Sequence, residues 1–307
     1  MRAFCLTLLC CAPAWTQASY TYDLNGRRVE GTRMAAGKLG GGSFTVESAR
    51  SASGRVIPLE RVEERVLQQD SSTRVVERIL RRFDQNGQPA SVQKVRVEER
   101  KNPDGTTSTE SLTWQTDVNG RYELTERARG LVRPVEGGSR SEVTVERPTL
   151  NGGMETVEKR TATERKSGTG VEQEVAAFQR VAAGGFGEAW RQVTRRSEEN
   201  GRTVENAAQY EVGPSGRVEL VGQRVSRTVK NADGSERSEV DLYRLNIPGR
   251  PVADQPRLRE QQILERRPGA GGTVVESVSV REPAPDGSKP SGAYRKVAQR
   301  VCTGECR

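Results

Sequence analysis

The side chains that could do chemistry in this chain are of few types. There is no histidine, which removes the commonest general base and the commonest metal ligand together. What remains is a set of 41 Asp and Glu among 49 Lys and Arg. Two carboxylates brought together in space could cleave a glycosidic bond as acid and nucleophile. Here the Glu residues have Arg beside them, as in Val97-Glu98-Glu99-Arg100 and Thr125-Glu126-Arg127, and recur along the chain as a solvated, self-paired surface would. An enzyme with an unrecognised carboxylate pair is therefore the lesser alternative. The glycine clusters at Gly184–Gly187 and Gly269–Gly272 do not have the spacing of a phosphate loop, a dinucleotide fingerprint or a nucleophile elbow. No catalytic residue and no cofactor are expected.

Two further groups could hold a metal. Asp84-Gln-Asn86-Gly87 and Asp117-Val-Asn119-Gly120 look like pieces of calcium loops, but the further carboxylates and the downstream bidentate Glu are missing. Turn chemistry accounts for them, so no metal site is expected. Cys302 and Cys306 lie near the C-terminus with Gly304 between them. In an oxidising compartment they read first as a disulfide, the glycine permitting the tight turn. An intermolecular or reactive thiol and a metal site are the alternatives, although two thiolates without histidine make a poor zinc site.

The oxidising compartment is itself an inference from the N-terminus. Met1-Arg2 and the mostly apolar stretch Ala3 to Trp15 lead to Thr16-Gln17-Ala18, the layout of a secretory signal peptide over 1–18. A cut after Ala14 is the alternative. Either cut removes Cys5, Cys10 and Cys11, and the stretch is too short to span a membrane. The protein is expected to be secreted, periplasmic or at the cell surface, with no membrane span after cleavage.

The elements that would position any of these residues are set by a recurring turn. One set is Asn86-Gly87, Asn119-Gly120, Asn151-Gly152, Gly184-Gly185, Ser215-Gly216 and Pro248-Gly249, with turn glycines 33, 32, 32, 32 and 33 residues apart. The other is Asp104-Gly105, Gly137-Gly138, Ser167-Gly168, Asn200-Gly201 and Asp233-Gly234, stepping by 32, 31, 33 and 33. A fixed period in this range marks a stacked repeat. Between turns lie ten to twelve residues with local alternation, as in Val95/Val97, Tyr122/Leu124 and Val278/Val280. Val outnumbers Leu by 34 to 17, which suits pleated strands better than helices. Gln173 to Arg196 has a near-helical apolar spacing, but its glycines and its phase place it with the strands. Fifteen turns from Gly54 to Asp286-Gly287 give about sixteen strands. The expected fold is an all-β antiparallel meander of roughly 33-residue two-stranded repeats in an open or curled sheet. Residues 19–50 form a lead-in with a first hairpin and a glycine run at Gly40–Gly42, 51–300 the repeat domain and 301–307 a Cys-containing tail.

Trp114, Phe178, Tyr210 and Tyr243 each precede a first-set turn glycine by six residues. Equal phase predicts one shared face on alternate strands. Such a stripe packs the sheet's inner face or, in the sharper reading, forms a candidate ligand track for polysaccharide.

The segments Tyr22-Asp23-Leu-Asn25-Gly26-Arg27, Phe83-Asp84-Gln-Asn86-Gly87 and Asp117-Val-Asn119-Gly120-Arg121-Tyr122 resemble YD repeats of the Rhs type. That resemblance implies a wound array of β-hairpins in a secreted bacterial protein. A non-enzymatic structural or interaction scaffold is the reading these features support together. Its rival is a polysaccharide- or polyanion-binding protein using the aromatic or an Arg-rich stripe. Other surface proteins or polysaccharide are the expected partners, and nucleic acid is disfavoured because Arg is matched by Glu. A transmembrane barrel is disfavoured because the strands carry Arg or Glu on both faces.

Overall fold

The computed structural model describes residues 15–22, 28–39, 43–52, 55–117, 119–182, 184–199, 201–213, 216–245, 255–281 and 292–303. They form eighteen antiparallel strands. The lead-in supplies β1 (Trp15–Tyr22) and β2 (Arg28–Leu39), followed by β3 (Ser43–Ala52). Next come β4 (Arg55–Gln69), β5 (Thr73–Phe83), β6 (Pro89–Lys101), β7 (Thr107–Thr116), β8 (Tyr122–Val135) and β9 (Gly138–Pro148). The second half comprises β10 (Met154–Ser167), β11 (Gly170–Arg180), β12 (Phe186–Glu199), β13 (Arg202–Val212) and β14 (Val218–Lys230). It ends with β15 (Glu236–Arg244), β16 (Arg257–Pro268), β17 (Thr273–Arg281) and β18 (Arg295–Thr303). The segment with near-helical spacing is β11 and most of β12.

The expected open or curled sheet is wrong. Consecutive strands are hydrogen-bonded, β1 with β2 and β9 with β10 included, and β1 also pairs with β18. The last of these pairings sets Gln17 against Cys302, Ala18 against Val301 and Thr21 against Ala298. The ladder therefore has no free edge and is a closed barrel of eighteen strands. The turns from Gly54 onward account for the sixteen strands β3 to β18, and the lead-in adds two. Closure rests on a pairing between segments at opposite ends of the chain, which no local periodicity encodes, and it removes the edge that an open sheet would leave for aggregation.

The chain divides into two compact units, Met1–Thr16 with Thr32–Thr163 and Ala177–Gly187, and Gln17–Gly31 with Glu164–Ala176 and Glu188–Arg307. In the first unit the register puts Glu47, Arg61, Arg81, Lys94, Arg96, Leu112, Trp114, Arg127, Arg129 and Glu146 on one charge-rich face. Its other face carries Val46, Val62, Val76, Leu80, Val95, Val97, Ala128, Val143 and Val145. Val76 and Val145 there are each 3% exposed, and Val75, equally buried, lies on the charge-rich face opposite Glu98, so both faces contribute to the core of the first unit. In the second unit Val240 and Cys302 are almost wholly buried and Ser226 nearly so.

The first-set turns whose closing residues are described share one geometry. Residues Asp84 and Gln88 close a three-residue loop, Asp84 N donating to Gln88 O at 2.8 Å and Gly87 N to Asp84 O at 3.0 Å. The same two bonds recur at Asp117/Arg121, Thr149/Gly153, Val181/Gly185 and Gly213/Arg217. The turn glycine has positive φ each time, +75° at Gly120 for example, where an L side chain is strained. Asp84 and Asp117 open their loops because each Oδ1 accepts two backbone amides at 2.8 Å. Second-set turns are of two kinds: three-residue loops at Asn102/Thr106 and Asn231/Ser235, and shorter ones such as Glu136-Gly137, closed by the Val135–Gly138 pair.

Register shifts recur at the first-set end. They fall between Ser48/Ala49, Arg82/Phe83, Thr113/Trp114, Gln209/Tyr210, Leu242/Tyr243 and Val278/Ser279. In each, one residue of the following strand is extra, Thr125 opposite Thr113/Trp114 and Val221 opposite Gln209/Tyr210. A bulge raises local twist and bends its strand, the deformation that a closing sheet requires.

Candidate functional site

Three features were candidates for a site: the aromatic series, the charged ladders and the surface depressions. The aromatic series is built by the bulges. Trp114, Tyr210 and Tyr243 are each the residue at which the register shifts, and their partners across the bulge are Leu124, Leu220 and Leu258. Tyr210 and Tyr243 share a face, since Ala208, two residues before Tyr210, pairs with Gln223, which pairs with Tyr243. Trp114 and Phe178 belong to the other unit, on β7 and β11. All four side chains are half-buried.

Two of the rings carry a cation from the strand across. Lys94 is opposite Trp114 in register and its Nζ stands 5.8 Å from the ring centroid. Arg191 is opposite Tyr210 with its guanidinium at 5.2 Å. A cation over a ring face is worth about 0.5–1 kcal/mol at an exposed site and occupies the surface that a sugar would stack on. Nothing in the sequence marks these pairings, because they depend on which residues face each other across strands.

The charged ladders are self-paired. On the charge-rich face of the first unit Glu63 joins Arg61 (3.1 Å) and Arg81 (2.9 Å), two arginines that stand directly opposite each other. Glu77 pairs with Lys94 at 2.6 Å, Glu110 with Arg129 at 3.1 Å and Glu146 with Arg127 at 2.7 Å. The other face has Glu64 with Arg78 at 2.5 Å and Glu126 with Arg147 at 3.3 Å. The second unit repeats the pattern with Glu205–Arg224, Asp241–Arg227 and Glu276–Arg300 at 2.8, 3.0 and 2.6 Å. Most of these join residues on neighbouring strands, the sheet's counterpart of side-chain pairs along a helix. Exposed pairs contribute little each, about 0.2–1 kcal/mol.

A surface depression beside the β14–β15 turn is lined by Asn231, Asp233, Ser235, Arg237, Glu265 and Arg267. Its charges also satisfy one another: Glu265 holds Arg267 at 2.8 Å and Arg237 at 3.3 Å, and Asp233 accepts the Ser235 hydroxyl at 2.6 Å. That last bond, and one from the Ser235 amide, keep the Asp233 carboxyl below the usual carboxylate range. Asp104 is held low in the same way by the Thr106 hydroxyl and amide. These shifts are the chemistry of turns and mark no general acid. Among the described residues no group of three or more His, Cys, Asp or Glu side chains is placed to hold a metal ion. Cys302 is wholly buried in β18; Cys306, its expected disulfide partner, lies outside the described residues, as do the turns at Asn25-Gly26, Pro248-Gly249 and Asp286-Gly287 and the Gly40–Gly42 run.

No protein-family model matches the chain. No curated protein matches it either. A solved structure, a porin-like protein from Bacteroides uniformis ATCC 8492, aligns with 95% of this chain and 96% of its own at 7% identity and a TM-score of 0.24, a likeness too weak to bear on function.

Proposed function

We propose that the chain is a non-enzymatic, extracytoplasmic β-repeat scaffold, a structural or interaction protein of the cell surface or the space around it. The observation that carries this reading is the mutual neutralisation of charge across strands on both faces of the sheet, from Glu63 with Arg61 and Arg81 to Glu276 with Arg300. A site for catalysis or for a polyanion needs charge left unmatched and convergent. Here Arg and Glu are spent on each other, and the hairpins present a regular, solvated lattice. The signal-like N-terminus and the likeness of the turns to YD repeats support export and display.

An even number of antiparallel strands closed without an edge is also the plan of outer-membrane barrels. The faces speak against a lipid-facing band. In the first unit Lys94, Arg96 and Glu110 occupy one side of mid-strand positions and Glu64 and Arg78 the other. An Arg or Lys on the lipid face costs about 2–4 kcal/mol at the bilayer midplane, and an Asp or Glu less. The barrel is therefore proposed to be water-soluble rather than membrane-spanning.

The test is binding to heparin and to duplex DNA at about 0.15 M salt, where attraction between exposed charges is screened beyond about 8 Å. Weak binding with a shallow salt slope is expected. Tight binding that falls steeply with salt would replace the scaffold with a polyanion-binding protein, because each neutralised anionic group releases a counterion. Recovery of the expressed protein only in the detergent-insoluble outer-membrane fraction would overturn the water-soluble reading.

A further inference from the structure

Among the described residues, every half-buried lysine or arginine but one has a carboxylate within 4.0 Å. Arg78, Arg81, Lys94, Arg127, Arg224 and Arg300 each hold theirs at 2.5–2.9 Å. The exception is Arg281, the last residue of β17 in the second unit. Neutral groups hold it instead. Its Nη2 donates at 2.7 Å to Oε1 of Gln261, the residue directly opposite on β16, and its guanidinium lies 4.5 Å from the centroid of the Tyr294 ring. No other nitrogen of this side chain is hydrogen-bonded, and Nε is buried without a partner.

Beside Arg281 on the same face stands a second cation with neutral partners. Lys296 on β18 is opposite Ser279, two residues before Arg281, so the two are diagonal neighbours with Cβ atoms about 7–8 Å apart. The Lys296 Nζ reaches Gln299 Oε1 at 3.5 Å and lies 5.9 Å from the centroid of the Tyr22 ring. Three residues apart, Lys296 and Gln299 would face opposite sides of a regular strand. The register shift between Val278 and Ser279 makes Val297 the extra residue and brings both to one face. Tyr22 donates its hydroxyl to the same Gln299 oxygen at 2.9 Å, which leaves the Gln299 Nε2 donors unbonded within the protein.

Ring faces and amide oxygens orient these two cations but do not neutralise them. A guanidinium taken half out of water without a counter-charge is unfavourable, and every other one in the same setting has its carboxylate. We propose that Arg281 and Lys296 form a site for a single oxyanion, the carboxylate or phosphate group of a ligand from outside the chain. The guanidinium fork takes two oxygens, Lys296 adds a second charge, and Gln299 Nε2 adds a neutral donor. Two cations release about two counterions, so heparin and DNA would still show a shallow salt slope. The site therefore stands or fails independently of the scaffold.

The experiment is thermal unfolding of the full-length mature protein in chloride, phosphate or galacturonate at matched ionic strength, with glucose as the neutral arm. A ligand that binds only the native protein raises its melting temperature, and the concentration dependence gives Kd. Phosphate or galacturonate should raise the wild-type melting temperature above its value in chloride, and glucose should not. Arg281→Gln should weaken the anion about tenfold, the effect of one charged hydrogen bond, and Arg281→Lys nearly as much, because the fork is lost. Lys296→Gln should weaken it about threefold. Since Lys296 is exposed, its variant keeps the test readable if loss of Arg281 from Gln261 and Tyr294 unfolds the protein. A shift with phosphate alone would assign the site to a phosphate ester and one with galacturonate alone to an acidic sugar; either upholds it. No shift of the wild type beyond chloride, or equal shifts in wild type and both position variants, would overturn the proposal.

Discussion

Glu64 and Arg78 stand directly opposite each other on β4 and β5, and the carboxylate takes two hydrogen bonds from the guanidinium, from Nη2 at 2.5 Å and Nε at 3.2 Å. The Glu64 side chain is 5% exposed and that of Arg78 35%, so the pair spans from the packed face toward water. Arg74 lies 3.9 Å from the second carboxylate oxygen. Removing one member of a buried pair strands the other charge, whereas removing both need not.

Glu64→Gln is accordingly expected to destabilise the fold by about 3 kcal/mol, the lower end for a broken buried pair because Arg78 reaches solvent. Glu64→Leu with Arg78→Leu should cost less than either single change. Urea unfolding of the three variants measures the coupling, and additive losses would show that the two side chains act independently.

A second prediction separates two uses of glycine. Gly120 has φ +75° and nothing within 4 Å of the position a Cβ would take, so Gly120→Ala should cost about 1–2 kcal/mol through backbone strain alone. At Gly130, in mid-strand, a Cβ would fall 2.5 Å from Thr109 Oγ1, its cross-strand partner. Gly130→Ala should therefore be rescued in large part by Thr109→Ala, and Gly120→Ala should not be. Thermal denaturation of the single and double variants distinguishes the two cases.

The turn glycines illustrate what could be read from sequence. Gly87, Gly120 and Gly152 are visible because a positive φ restricts residue type, so the hairpins and their period follow from local chemistry. The bulged residues Thr125 and Val221 carry no such restriction, and alternation is broken there without any mark in composition. Closure was illegible for a different reason. It depends on Tyr20 finding Gln299 and Ala18 finding Val301, pairings whose worth arises only once every intervening strand is in place. The aromatic series was legible as a phase, but not the lysine and arginine that face Trp114 and Tyr210.

The strand pairing also bears on export. β1 begins at Trp15, and its pairs with β18 include Gln17–Cys302 and Ala18–Val301. A cut after Ala18 would delete the first four residues of the strand, leaving Ser19 to Thr21 of the register above, whereas a cut after Ala14 keeps it whole. The mature chain is expected to start at Trp15. Intact-mass measurement of the exported protein decides, and a chain starting at Ser19 would mean that closure is maintained by the shorter pairing.

The last prediction concerns acid. Asp70 closes the β4–β5 turn, its Oδ1 accepting the Ser72 and Thr73 amides at 2.9 and 2.7 Å and its Oδ2 the Gln68 amide group at 3.0 Å. These donors, the Ser72 amide foremost, lower its pKa to about 2. An ordinary unfolded Asp titrates near 3.9. A carboxyl lowered on folding contributes stability that is complete above the unfolded value and is lost as pH falls through the folded one. Asp104 and Asp233, lowered by their own turn hydroxyls and amides, act in the same direction. Stability should therefore decline as pH falls from about 4 to about 2. Asp70→Asn removes the charge while keeping an acceptor, so the gap between wild type and variant should be widest above pH 4 and close at the acid end of that window. Urea midpoints taken across it provide the measurement. A gap that stays constant down to pH 2 would mean that the turn depends on the shape of the Asp70 side chain and not on its charge.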